Sequence, residues 1–530
     1  MFGVFGVRKN RTHWQHFIIA LAVNKLYLDF LQTETSPHLL FMTSFKADIG
    51  DKYELVVGLE VHAQLSTLSK VFSSDSAAFG AGPNEHISAI SLGHPGTLPR
   101  LNKRAVEYAV KMGLACNCTI NLNNTFARKN YFYADLPKGY QITQDQQPIC
   151  LGGFIPVRLA DGTTKNIAIH HIHMEEDAGK SMHDQHHADS LIDLNRAGVP
   201  LLEIVTEPDL RSAEEAGQFL TEIRKLVRYI DVCDGNMEEG SLRCDANISV
   251  RLRGQKAYGN RCEVKNLNSI RNVQRAVEHE FARQVNVIEA GGHIDQNTLN
   301  FDADTGETSV LRSKEMANDY RYFPEPDLTP LALTKEYVAN IQRDMPVLPG
   351  VLYNRYVKEL GLSEYDAGVI TAERDMAQYF ESLTGSTNNY KAAANWLMGQ
   401  VKSYLNDNGV SIAEFPLKPE TLAGLIALVD SGKVNNSVAS QKLFPELVKK
   451  PGKTAENIAT EMNLLISADG NDVDRFIKDA LAKFPDKVTE YRKGKKGVLG
   501  LFMGEIMKSS KGKIDPQKTN QLLIKELEGK

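Results

Sequence analysis

The chain has 530 residues, 42% hydrophobic and 24% charged, ordinary for a soluble globular protein with room for three or four domains. A formal net charge of −5 excludes a uniformly basic nucleic-acid binder, so any such surface is a local patch. Six cysteines with no CxxC pair and no regular spacing fit a disulfide framework poorly and point to reduced thiols in a cytosolic-type compartment.

Residues 17–31 form the first apolar run, but Lys25 and Asp29 interrupt it, and it is too short and too charged to span a membrane. No small-residue cleavage site follows, which argues against a secretory signal. Arg8, Lys9, Arg11 and Lys25 all precede the first acid, Asp29. That basic run allows an organellar transit segment, but residues 1–50 read rather as an extension with the true start at Met42, because ordered patterning begins only at Tyr53.

Ordered patterning begins at Tyr53. Residues 53–65, YELVVGLEVHAQL, alternate as a half-buried strand, with Leu59, Val61 and Leu65 on one face and Glu60, His62 and Gln64 on the other. Residues 106–114 read as a short helix, and 167–174 and 201–205 as strands. Residues 212–230 form the clearest helix of this half. Ser212 and Glu215 make a capping box ahead of the stripe Phe219, Ile223, Leu226, Val227 and Ile230. Residues 242–252, LRCDANISVRL, place Asp245, Asn247 and Ser249 opposite Ile248, Val250 and Leu252. With residues 261–265 they predict a hairpin in which Asp245 and Glu263 share a face. Beyond Pro346 the pattern is almost wholly helical, with Pro451-Gly452 as a linker, a basic turn at 491–497 and an apolar helix at 498–507.

Several residues carry chemistry, each with a plain structural alternative. Glu60 and His62 suit a hard divalent cation, or else form a hydrogen-bonded structural pair. His170, His171 and His173 read as a solvated strand end, whereas Glu176, where that strand ends, suits a cation. Glu203 lies inside a Leu/Ile/Val run, where an unpaired charge is costly; its partner is a metal or a basic side chain. Asp245 meets the same condition. Lys129 and Lys138 bracket an aromatic loop that either stacks bases or simply packs. Basic residues 492–513 are either a phosphate-contacting surface or a solvated one. No phosphate-binding GxxxxGK[ST] loop, GxSxG elbow, nucleophilic-cysteine signature or dinucleotide glycine fingerprint is present.

The segments VVGLEVHAQL, RKNYFYADLPKGYQI, HMEEDAGKS, DLNRAGVPLLEIVTEPD, EEGSLRCDANISVR, EVKNLNS and DYRYFPEPDL together resemble GatB, the B subunit of the tRNA-dependent amidotransferase, from about Tyr53 to the C-terminus. The resemblance implies an α+β fold: a mixed-sheet, cradle-shaped catalytic domain at 51–345, an all-α helical domain at 346–455 and an all-α YqeY-like tail at 456–530. It implies ATP-dependent amidation of Glu-tRNA(Gln), Asp-tRNA(Asn) or both. The implied partners are a glutaminase-type amidase subunit, a small third subunit and the misacylated tRNA. The cofactors are ATP and Mg²⁺, with Mn²⁺ as a substitute, and the compartment is cytoplasmic, or organellar if residues 1–50 are a transit peptide. Carried over by motif, one cation site takes His62, Glu176 and Glu203, which are also the catalytic assignment, and a second takes Glu60, Asp245 and Glu263. Lys129 and Lys138 match positions along an ammonia channel. Some relatives hold a zinc ion on paired cysteines; none is expected here. A non-catalytic tRNA scaffold and a stand-alone metal-dependent hydrolase are the competing readings.

Overall fold

A computed structural model describes residues 51–182, 189–313, 319–466, 470–510, 514 and 516–528. The extension at 1–50 lies outside the described residues, as do Lys511 and Lys513 of the basic segment. The chain divides into two compact units: one runs to Ile223 and resumes over Gly235–Val338, and the other takes Arg224–Asp234 and continues from Ala339. No helix among the described residues is long and apolar enough to cross a membrane.

The first unit is built on a mixed sheet that joins thirteen strands of the described residues. Nine of them bear on the site: β1 (Tyr53–Gln64), β2 (Ala127–Asn130), β3 (Tyr140–Thr143), β4 (Thr164–Glu176), β5 (Pro200–Thr206), β6 (Leu242–Leu252), β7 (Cys262–Lys265), β8 (Asn297–Phe301) and β9 (Thr308–Ser313). Their order across the sheet is β9-β8-β7-β6-β1-β5-β4-β3-β2. β7 and β8 run parallel, and the other neighbours in this series are antiparallel. The alternation read from the sequence sets the faces. Leu59, Val61 and Ala63 of β1 and Cys244, Ala246 and Ile248 of β6 are buried, with the polar residues between them partly open.

Three helices accompany this sheet. α1 (Lys103–Ala115) starts at Asn102, whose side chain accepts the Arg104 N–H and satisfies one of the free donors of the first turn. α2 (Ala213–Tyr229) begins behind Ser212, whose Oγ accepts the Glu215 N–H at 3.0 Å. The return half of the expected capping box is shifted: the Glu215 carboxylate accepts the Arg211 N–H at 2.7 Å and Lys165 Nζ at 2.8 Å. α3 (Ile270–Glu289), capped by Ser269, packs on β6 through a face that includes Val273, Ala276, Val277 and Val285.

The second unit is helical and contains two cores. Residues from Leu352 to Leu464, with Tyr229, share one, and residues from Ile477 to Leu527 share the other. Pro349, Pro419 and Pro485 occupy first turns, where the missing N–H leaves no hydrogen bond unmade. The helix Ala455–Glu461, expected to open the tail, instead sends Ala455, Ile458 and Ala459 into the first core, so the break between cores falls after Leu464.

Candidate active site

Strand register assembles the polar face. His62 lies opposite Glu203, and Glu203 opposite His173. Glu60 lies opposite Asp245, and Asn247 opposite Glu263. Directly opposed side chains stand about 5 Å apart, so neighbouring strands bring acids that are distant in sequence into two adjacent groups.

The first group is His62, Glu175 and Glu203, whose ligand-type atoms lie within 4.8 Å of one another. Glu203 Oε2 is 3.3 Å from His62 Nε2 and 3.5 Å from His173 Nε2. Burial opposes the charge on His62, but the Glu203 carboxylate beside it outweighs burial and raises the imidazole to about 9. Burial likewise opposes the charge on Glu203, yet His173 and His62 hold its carboxyl well below the usual range. Glu175 Oε2 is buried without a hydrogen-bond partner, and His173 Nε2 approaches it at 3.7 Å. A buried carboxylate oxygen left in this state is costly unless a cation completes it. Two carboxylates with one imidazole fit a hard divalent ion.

The second group is Glu60, Asp245 and Glu263, again with ligand atoms within 4.8 Å. Lys265 Nζ bridges Asp245 Oδ2 at 2.5 Å and Glu263 Oε1 at 2.8 Å. Asn247 Nδ2 donates to Glu60 Oε1 at 2.8 Å, and Thr298 Oγ1 donates to Glu263 Oε2 at 2.9 Å. Burial raises the Glu60 carboxyl, and its neighbours Glu203, Glu263 and Asp245 raise it further. Three convergent carboxylates with one ammonium between them form a cation-seeking set, in which the lysine marks where positive charge belongs.

Both groups face a cavity of about 340 Å³, where Lys129, Arg261, Lys265 and Arg312 stand among Glu60, His62, Glu203, Asp245 and Glu263. This interleaving of acids and bases can hold cations and the anions they bridge. A narrower slot of about 200 Å³ shares Glu60, Asn247 and Arg261 with it and is walled by Val56, Leu59, Val205 and Tyr258.

Residues 55–339 match the family model of the GatB/GatE catalytic domain. The chain belongs to the GatB/GatE family. A GatB domain model also matches residues 378–527. Among curated relatives named as the B subunit of aspartyl/glutamyl-tRNA(Asn/Gln) amidotransferase, one from Syntrophotalea carbinolica is 48% identical over 90% of this chain and 99% of its own length. Another, from Synechococcus sp. (strain JA-2-3B'a(2-13)), is 47% identical over 90% of this chain and 98% of its own. A third, from Geobacter sulfurreducens, is 48% identical over 90% of this chain and all of its own.

One residue of the expected GatB ligand set lies elsewhere. Glu176 is on β4, which continues to that residue instead of ending near Met174, so its side chain faces away from His62 and Glu203. It pairs with Lys138 Nζ and accepts the Ile142 N–H at 2.8 Å. Its neighbour Glu175 takes the position expected for it. Glu60, Asp245 and Glu263 do come together. Lys129 reaches the first group from β2: burial opposes its charge, Glu175 and Glu203 restore it, and Nζ lies 5.0 Å from the Tyr320 ring centroid. Lys138 lines a separate cavity of about 220 Å³ with Lys70 and Glu176.

The histidine run also needs correction. His170 is exposed as a strand end would be, but His173 is buried and touches Glu203, because alternation puts it on the ligand face with Glu175. Sequence patterning does not single out Lys265, Arg261, Arg312 or Tyr258 as site residues. For Lys265 a signal exists: it lies two residues beyond Glu263 on one short strand, hence on the same face.

Proposed function

We propose that the chain is the catalytic and tRNA-binding subunit of a glutamine-dependent tRNA amidotransferase. It converts Glu-tRNA(Gln), Asp-tRNA(Asn) or both to the amide form, using ATP and ammonia from a separate amidase subunit, with a small third subunit completing the assembly. The observation that carries this reading is the pair of carboxylate-rich groups facing one cavity, next to arginine and lysine side chains and a nucleoside-sized slot.

One magnesium ion would be held by His62, Glu175 and Glu203, and a second by Glu60, Asp245 and Glu263. Bound there, they offset the repulsion between an anionic nucleotide and an anionic side-chain carboxylate. The slot beside Glu60 takes the nucleoside end of ATP, with the Tyr258 ring against the base and the cavity's arginines toward the phosphates. The γ-phosphoryl group passes to a carboxylate oxygen and ADP leaves. Ammonia then adds to the acyl carbon, the carbon–oxygen bond to phosphate breaks, and the nitrogen loses one proton to solvent. Lys129, held charged beside Glu175 and Glu203, steadies the negative charge that grows on the acyl oxygen. Lys129, in the larger cavity, and Lys138, in the separate one on the other face of β4, are the two positions assigned to the path by which ammonia would arrive. Exposed Arg492, Lys493, Lys495 and Lys496 offer the phosphate-contacting surface of the helical unit.

The test is phosphoryl transfer in the assembled three-subunit enzyme without an ammonia source. With Glu-tRNA(Gln) and γ-labelled ATP, wild type should put label on the aminoacyl-tRNA, and Glu203→Gln should not. Equal labelling by both would leave this chain as a tRNA-holding scaffold.

A further inference from the structure

Lys265 is the one lysine that bridges two carboxylates of a candidate ligand set among the described residues. Its ammonium sits between Asp245 and Glu263, which with Glu60 form the second group. One ammonium against three carboxylates leaves that group under-neutralised. Nor is Lys265 locked in: its side chain is 34% exposed, its stem is flexible, and it lines the 340 Å³ cavity that Arg261 and Arg312 also line. A divalent ion would satisfy the three oxygens better than one point charge shared between two of them. A lysine released there faces the cavity that Arg261 and Arg312 also line, where phosphate oxygens would find charged donors.

We propose that Lys265 is a resident counter-cation that yields its place when the second divalent ion enters, and then turns to the nucleotide phosphates as a positioning residue. The exchange couples metal loading to phosphate binding, since one side chain serves the carboxylates in the empty protein and the phosphates in the loaded one. This rests on the cation-dependent phosphoryl transfer proposed above.

The experiment follows Lys265 itself. The full chain is acetylated briefly with an amine-reactive ester, alone, with Mn²⁺, and with Mn²⁺ plus ADP, and modification at Lys265 is read by peptide mass spectrometry. Bound Mn²⁺ is counted by electron paramagnetic resonance on the same samples. Expected is a rise of about fivefold in Lys265 modification with Mn²⁺, as an ion-paired amine becomes free, and a return toward the starting level with ADP. Lys265→Met should bind Mn²⁺ about tenfold more tightly, having lost its competitor, and ADP more weakly. Bound Mn²⁺ with unchanged Lys265 modification would overturn the exchange and leave the cation reading standing. Absence of bound Mn²⁺ would overturn both, making Lys265 a permanent partner of Asp245 and Glu263.

Discussion

Glu175 and Glu176 are chain neighbours that serve opposite faces of β4. Glu175 joins His62 and Glu203 on the cavity side, while Glu176 pairs with Lys138 and the Ile142 N–H on the other. The two should therefore separate by metal binding. Glu175→Gln should weaken Mn²⁺ binding about tenfold or more, and Glu176→Gln should leave it within about threefold. Titration of bound Mn²⁺ by electron paramagnetic resonance checks this, and the reverse ranking would contradict the assignment.

Metal binding should release a proton. Burial opposes the charge on His62, but Glu203 raises its imidazole from 6.5 to about 9, so at neutral pH the metal-free protein carries it protonated. Only the neutral ring is a ligand. Mn²⁺ affinity should climb from about pH 7 and level off above about 9, with His62→Gln flattening the climb. Calorimetry in buffers of different ionisation enthalpy should find about one proton released per ion at the first site. A pH-independent affinity would contradict the His62–Glu203 coupling.

The Lys138–Glu176 pair is buried, with side-chain exposures of 13% and 5%. Removing one partner strands a charge, so Lys138→Met should cost about 3 kcal/mol or more. Lys138→Met with Glu176→Gln should recover most of that, because the amide oxygen still accepts from Ile142 and no charge remains. Urea denaturation of the three proteins checks the order. A double variant no better than Lys138→Met would mean that the charge on Glu176 matters little to the fold.

If Tyr258 covers the base, Tyr258→Ala should raise the KM for ATP about tenfold with kcat little changed, and Tyr258→Phe should keep most of the affinity. Steady-state kinetics over ATP concentration distinguishes this from a general loss of activity. Equal losses of kcat in both variants would place the nucleoside elsewhere.

Alternation on β1 and β6 is legible because nearly every second residue there is apolar, and the hairpin to β7 follows from the polar loop between two such runs. That is enough to unite Asp245 and Glu263; Glu60 joins them through the pairing of β1 with β6, which alternation does not announce and only the GatB resemblance implied. The parity of β4 is not legible. Two adjacent acids differ in face only through where pairing holds the strand, and the run His170-His171-Ile172-His173 hides its alternation among histidines. α3 escapes because its inner face includes two buried polar residues: Glu280, paired with Arg283 and Thr308, and Gln284, whose Nε2 donates to the Ile248 carbonyl. Tyr258 sits in the loop between β6 and β7, where no periodicity assigns a face.

The most direct measurement is amidation by the assembled enzyme with ammonium chloride in place of glutamine, which bypasses the amidase partner. Product is read as the amino acid released from Glu-tRNA(Gln) in the presence of ATP and Mg²⁺. Wild type should yield glutamine, and Glu175→Gln and Glu203→Gln should each lower the rate by about 100-fold or more. Full ammonium-supported activity in both variants would move the chemistry off this face of the sheet.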